Sequence, residues 1–105
     1  MALFHALLRY KDEGRIRSFD MLHDADKATV QLAGGKSIVV YMSSDYIVGE
    51  AKVREAADPP TAKYLVYNNW DKITEAAKQE ANRLGIEIHS FGAFGHRLDK
   101  LNAAP

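Results

Sequence analysis

The stretch KYLVYNNWDKIT, Lys63–Thr74, decides the fold. Its first half, Tyr64–Tyr67, is an unbroken apolar and aromatic run of the kind found in a strand covered on both faces. Its second half opens a helical stripe of Trp70, Ile73, Ala77, Ala81 and Leu84, which stops at Gly85. A strand, a helix and a further strand, IEIHSF, then follow without a hairpin turn, so the two strands are parallel and joined by a crossover. Asn68 and Asn69 stand at the junction. Either suits the cap of the helix that follows, and either amide can equally hydrogen-bond a ligand.

Upstream, KATVQLAGGKSIVVYMS, Lys27–Ser43, reads as two strands around Gly34-Gly35, a dipeptide typical of short hairpins. Ile38–Met42 is a second continuous apolar run. RIRSFDMLHD, Arg15–Asp24, alternates less cleanly and reads as a strand with neither face wholly apolar. ALFHALLRYKDEG predicts a first helix with Leu3, Phe4, Leu7 and Leu8 inward and Gly14 as its stop. DYIVGEAKVREAA, residues 45–57, reads as a helix capped by Ser43 or Ser44 and ended by Asp58-Pro59-Pro60. Gly49 weakens that helix by about 1 kcal/mol relative to alanine, which leaves an extended Tyr46–Val48 as the alternative. GAFG, residues 92–95, reads as a turn before a short helix, HRLDKLN. The expectation is one α/β domain over residues 1–105. It has three layers, with a mixed sheet that is an antiparallel meander at the N-terminal side and parallel at the C-terminal side.

Composition narrows the function classes. Lys and Arg total 14, as do Asp and Glu, and each half of the chain is balanced (8 of each sign in residues 1–55, 6 of each in 56–105). No basic tail marks a nucleic-acid binder, although folding can still gather cations on one face. Cysteine is absent, which removes disulfides, thiolate nucleophiles and cysteine zinc sites, and suits a cytoplasmic setting. MALFHALLRY is too short to span a bilayer and lacks the pattern of a signal peptide, so no membrane is expected.

In an open α/β sheet, ligands bind beyond the carboxyl ends of the parallel strands. Those ends carry Ser44 and Asp45, then Asn68 and Asn69, then the GAFG turn with His96 and Arg97. The turn glycines serve either positive φ or, with Arg97, an anion at the helix start. GGKS, Gly34–Ser37, is not a phosphate loop, because Val30 stands where the motif needs glycine and a strand follows. His5, His23, His89 and His96 have no metal-ligand spacing. Asp20, Asp24, Asp26 and Asp45 are the carboxylates that folding would have to converge for acid–base work.

One constellation resembles known chemistry. Asp45, followed by Glu50-Ala51-Lys52, supplies the residue types with which magnesium-dependent nucleases hold a metal and position the attacking water. The order helix, three-stranded meander, helix and strand, together with AKYLVYNNWDKITEAAKQEANRLGIEIHSFGAFGHRL (Ala62–Leu98), resembles the restriction-endonuclease-like, PD-(D/E)xK, superfamily. The resemblance implies Asp45, Glu50 and Lys52 as a catalytic set with magnesium, if Tyr46–Lys52 is a strand. In that family Glu-x-Lys lies on the third strand, which here reads IVVYMSS. An acidic residue opens the strand before, where Asp26 is an approximate match. On that alignment the catalytic set is lost and the chain is an inactive relative. If the segment is a helix, Glu50 and Arg54 form an ordinary ion pair one turn apart and Lys52 is solvated.

The leading expectation is a non-catalytic binding or accessory domain that needs no metal or cofactor. Its edge would comprise Ser44, Asp45, Asn68, Asn69, His96 and Arg97, and its partner a protein, a second copy or a nucleic acid. The alternatives are a magnesium-dependent nuclease, and a structural subunit of a homo-oligomer with Phe91 and Phe94 at the contact.

Overall fold

The protein was analysed as a computed structural model that describes residues 2–22 and 26–104. His23 and Asp24 lie outside the described residues. The element order is α1 (Leu3–Asp12), β1 (Ile16–Met21), β2 (Lys27–Leu32), β3 (Ser37–Ser43), β4 (Ile47–Val48), α2 (Glu50–Ala57), β5 (Tyr64–Tyr67), β6 (Lys72–Ile73), α3 (Glu75–Leu84), β7 (Glu87–Ser90) and α4 (Phe91–Ala103). The main sheet has five strands in the order β1-β2-β3-β5-β7. β1, β2 and β3 form the antiparallel meander, and β5 and β7 add to β3 in parallel. The mixed α/β architecture is the one the sequence predicts.

Alternation along β3 and β5 sends their side chains to two separate cores. Ala28, Val30, Leu32, Val40 and Met42 face α1 and α4, where Leu3, Leu7, Tyr10, Phe91, Phe94 and Leu98 cover them. Tyr41 and Leu65 face α2 and α3, where Val53, Ala56, Ala77 and Ala81 pack. Both layers exclude water, which explains the apolar runs of β3 and β5.

All four helices depart from the expectation in face or bounds, and two short strands are added. In α1 the buried face is Leu3, Ala6, Leu7 and Tyr10, while Phe4 and Leu8 are 45% and 37% exposed. The helix is turned toward α4 because the Tyr10 hydroxyl donates to the Phe91 carbonyl at 2.5 Å and the two rings stack, centroids 4.7 Å apart. Helix α2 begins only at Glu50, after Gly49, and Ser43 Oγ accepts from the Asp45 amide (3.2 Å) without capping it. Ile47–Val48 is extended because it pairs in parallel with Lys72–Ile73, a second small sheet that drives Val48 into the core. That pairing also delays α3 to Glu75, with Thr74 as its cap, its Oγ1 accepting from the Ala77 amide at 3.0 Å. The cap is therefore neither Asn68 nor Asn69. GAFG is no turn. It is the first turn of α4, capped by Ser90, whose Oγ accepts from the Ala93 amide.

Gly85 stops α3 as expected. It sits at φ 73°, the left-handed region that glycine enters without steric cost, and its amide bonds back to the helix. At the other end of the molecule, Asn102 of α4 accepts from the Gly34 amide (2.9 Å) and donates to the Arg15 carbonyl (2.8 Å). These two bonds fasten the end of α4 to the β2–β3 hairpin and to the start of β1.

Candidate functional site

The parallel strand β5 ends in Asn68, which is 4% exposed and whose Nδ2 donates to Asp71 Oδ2 at 3.0 Å. The Asp71 amide returns a bond to the Asn68 carbonyl (3.0 Å), and the resulting tight turn presents Asn69 and Trp70 outward. Asn69 is a helix cap after all, but of a different helix. Its Oδ1 accepts from the Gly92 amide at 2.9 Å, in the first turn of α4. Trp70 is 70% exposed, the most exposed large apolar side chain among the described residues.

Beside this turn lies an open cleft of about 300 Å³. One wall is Asn68, Asn69 and Trp70, and the other is Arg9, Tyr10, Glu13 and Arg15 from the end of α1 and the start of β1. Phe91, Gly92 and His96 of α4 line the rest. Arg9 places its guanidinium over the Phe91 ring, 5.5 Å from the centroid, and lies 3.5 Å from Glu13. Arg15 Nε sits 3.6 Å from both Glu13 and Asp99. Gly95 makes room for it, since a Cβ at that position would come within 1.7 Å of Arg15 Nη1. The Tyr10 hydroxyl is pushed well above the usual phenol range, first by burial and then by balancing charges of Arg15, Glu13 and Arg9. It stays protonated and donates to the Phe91 carbonyl across the neutral pH range.

Of the residues expected at this edge, the structure brings Asn68, Asn69 and His96 together. Arg97 points elsewhere. One step along α4 turns a side chain by roughly 100°, and its guanidinium makes a forked pair with Glu87 at 2.9 and 3.2 Å. The expectation that Arg97 assists an anion at the start of α4 is thus corrected, and the Gly92 and Ala93 amides there are already taken by Asn69 and Ser90. Ser44 is exposed and, with Asp45, lies away from the cleft lining. Phe91 and Phe94 are buried against Tyr10, which removes them as a surface contact.

Asp45 joins a second polar group, on the α2 side of the sheet. Lys52 Nζ lies 3.9 Å from Asp45 and 3.4 Å from Glu55, and the Tyr41 hydroxyl donates to Glu55 Oε2 at 2.6 Å. Burial first, then the Glu55 hydrogen bond and the charges of Glu55, Asp26 and Asp45, keep the Tyr41 phenol protonated. Two of the acidic residues singled out in the sequence, Asp26 and Asp45, therefore do approach one side chain, whereas Asp20 is exposed on β1. Nearby, the buried Lys27 ammonium donates to the Asp58 carbonyl at the wall of a cavity of about 450 Å³. Glu50 stands apart. Its carboxylate is 2.8 Å from Arg54 on the first turn of α2. Among the described residues no set of three or more histidines and carboxylates is placed to hold a metal ion.

Arg9, Tyr10 and Arg15 were not legible as site residues, and Gly95, read in the sequence as part of a turn or anion site, has a different role. The one local hint is that Gly95 does no turning. A glycine inside a helix carries a cost unless something needs the space, and here that something is Arg15. No protein-family model, curated protein or solved structure matches this chain.

Proposed function

We propose that the chain is a non-catalytic binding domain that docks a segment of a partner protein in the cleft between α1, α4 and the β5–β6 turn. The observation that carries this reading is Trp70, held 70% exposed by a turn that is rigidly bonded beneath it. A large exposed ring costs free energy in water, and a tryptophan beside arginines is the usual composition of an interface anchor. The polar groups around it are spent on one another: Asn68 on Asp71, Asn69 on Gly92, Arg15 on Glu13 and Asp99. Such groups shape a surface and are poorly placed to move protons. The two arginines of the lining are each ion-paired, Arg9 with Glu13 and Arg15 with Glu13 and Asp99, which also favours a protein over a polyanion.

A second reading has its own support. Arg9 over Phe91, with Trp70 across the cleft, is a guanidinium and a ring of the kind that hold a phosphate and stack a base of single-stranded nucleic acid. It accords with the proposed kinship to restriction-endonuclease-like proteins as an inactive relative. The magnesium-dependent nuclease draws less support, since Glu50 is engaged by Arg54 while Lys52 lies with Asp45 and Glu55. No described helix is long and apolar enough to cross a membrane. A cytoplasmic setting is part of the proposal.

Trp70 is the chain's only tryptophan, so its emission reports on this cleft alone. Peptides selected from a displayed random library against the protein should converge on a motif, shift Trp70 emission to the blue, and lose affinity in Arg9→Ala. Oligonucleotide binding that falls steeply with salt would establish the second reading. Selected peptides that leave Trp70 emission unchanged would overturn the cleft as the site.

A further inference from the structure

We propose that the protein self-associates through β1, two copies joining their sheets edge to edge across a two-fold axis. β1 is the outermost strand on its side of the sheet. The phase of its free backbone groups follows from one bond at its end, the Leu22 amide donating to the Lys27 carbonyl at 2.9 Å. Ladder bonds in an antiparallel pair involve every second residue. In the regular register Asp20↔Thr29 and Ser18↔Gln31, Asp20 and Ser18 therefore turn their amides and carbonyls toward β2. Phe19 and Met21 turn theirs outward, to the open edge.

A second copy fits that edge. With β1 antiparallel to itself and the two-fold axis at Phe19, Phe19 of each copy exchanges both backbone bonds with Phe19 of the other. The same register sets Ser18 opposite Asp20. The irregularity between Ile16 and Ser18 inserts a residue, so Ile16 and Phe19 both pack toward the α1/α4 core although three positions apart. Arg17 and Ser18 consequently share the opposite face with Asp20. Arg17 and Asp20, both exposed, then meet Asp20 and Arg17 of the other copy, so the charges complement one another twice. On the core face, Phe4 packs edge-on to Phe19 at 5.8 Å, and Leu8 follows one turn along α1. These are the side chains that α1 leaves outward, at 45% and 37% exposure, on its flank over the edge strand. A two-fold axis at Phe19 brings that flank against its own copy and covers both. The opposite edge, β7, is short and carries the Glu87–Arg97–His89 charge cluster, a feature that discourages pairing.

The test is the solution mass as a function of concentration, by analytical ultracentrifugation, with amide hydrogen exchange at high concentration. A dimer is expected, with the Phe19 and Met21 amides protected in it and exchanging freely once it dissociates. Leu8→Glu changes a partly exposed helical residue and should raise the dissociation constant by more than about tenfold. Arg17→Asp and Asp20→Arg should each weaken the dimer by about tenfold, and the double swap should restore it. A monomer at all concentrations overturns the proposal. So does a dimer indifferent to Leu8→Glu and the swaps. A dimer abolished by Trp70→Ala would move self-association to the cleft, which also overturns it. The proposed partner docking at Trp70 stands or falls separately.

Discussion

The two faces of the sheet are packed by different means. On the α1/α4 side the core is built of rings, Tyr10, Tyr64, Phe91 and Phe94, meeting at centroid distances of 4.7 to 5.9 Å. On the α2/α3 side four alanines, Ala56, Ala62, Ala77 and Ala81, pack with Val48, Val53, Leu65 and Ile86 around a single fully buried ring, that of Tyr41. Small side chains let α2 and α3 lie close, and their polar residues go to the outer surface. There Glu80 accepts from Arg54 at 3.0 Å and Arg83 at 2.5 Å. Rings behave otherwise. They fill space only in fixed orientations, and a tyrosine among them carries a hydroxyl that needs a partner. Tyr10 finds it in the Phe91 backbone, which fixes the angle between α1 and α4 and leaves the cleft open where the rings end. The candidate cleft thus lies on the aromatic face.

The sharpest way to break this comparison is to remove one side chain from each face. Phe94→Ala should lower the unfolding free energy by about 3–5 kcal/mol, and Val53→Ala by about 2 kcal/mol, both read from urea denaturation. Both residues are essentially fully buried, so exposure does not bias the pair. A larger loss at Val53 would show that the alanine face is the more tightly specified one.

The buried phenols offer a second contrast, because each face holds one. For Tyr10 and Tyr41 the folded phenol pKa lies above the ordinary value of 10. Above that pH the unfolded chain has lost the proton while the folded one keeps it, so stability is full below about pH 10 and declines as pH rises. Tyr10→Phe and Tyr41→Phe should each flatten that alkaline decline, measured as the urea midpoint from pH 9 to pH 12. At neutral pH, Tyr10→Phe should cost about 1–2 kcal/mol, since it strips the Phe91 carbonyl of its buried donor. Tyr41→Phe should cost less, because Lys52 still faces Glu55.

What the sequence tells differs between the faces for the same reason. Ile38–Met42 and Tyr64–Tyr67 are continuous apolar runs, and Gly34-Gly35 and Gly85 are local turn signals, so the sheet and its crossovers could be read from neighbours in the chain. β4 and β6 could not. Each is two residues long and exists only because Ile47–Val48 finds Lys72–Ile73 across the fold. The stripe Trp70, Ile73, Ala77 kept a helical period by coincidence of spacing, and the small sheet took its first half. In the site, Asn68, Asn69 and His96 were placed by the rule that ligands gather at strand ends. Arg9 and Arg15 were not, because they reach the cleft from the other end of the chain and no local pattern announces it.

A smaller effect separates the charge cluster of β7 from both cores. Arg97's hydrogen bonds hold the Glu87 carboxyl below the usual range, burial opposes this, and the bond from His89 adds to it. A depressed carboxylate contributes stability that is present above the unfolded pKa, near 4.3, and is lost as pH falls through the folded value. Glu87→Gln should cost about 0.5–1 kcal/mol at pH 7, allowing for the partial exposure of the pair, and nothing at pH 2. Equal losses at both pH values would show that Glu87 acts by packing alone.

The smallest expected effect on stability is at Gly95, and it bears most directly on the site. A methyl group there would come within 1.7 Å of Arg15 Nη1, a clash with the far end of a long side chain that can swing aside. Alanine is also the better helix former by about 1 kcal/mol, which offsets the loss of the Arg15 contacts to Glu13 and Asp99. Gly95→Ala should therefore melt within a degree or two of the parent, or slightly above it, while the Arg15 Nε resonance shifts and the affinity of cleft-selected peptides falls. A helix position that gains in propensity and loses in binding would mark Gly95 as kept for the cleft. If alanine instead destabilises the protein and leaves binding intact, Arg15 belongs to the packing of the aromatic face and the cleft is merely what that packing leaves open.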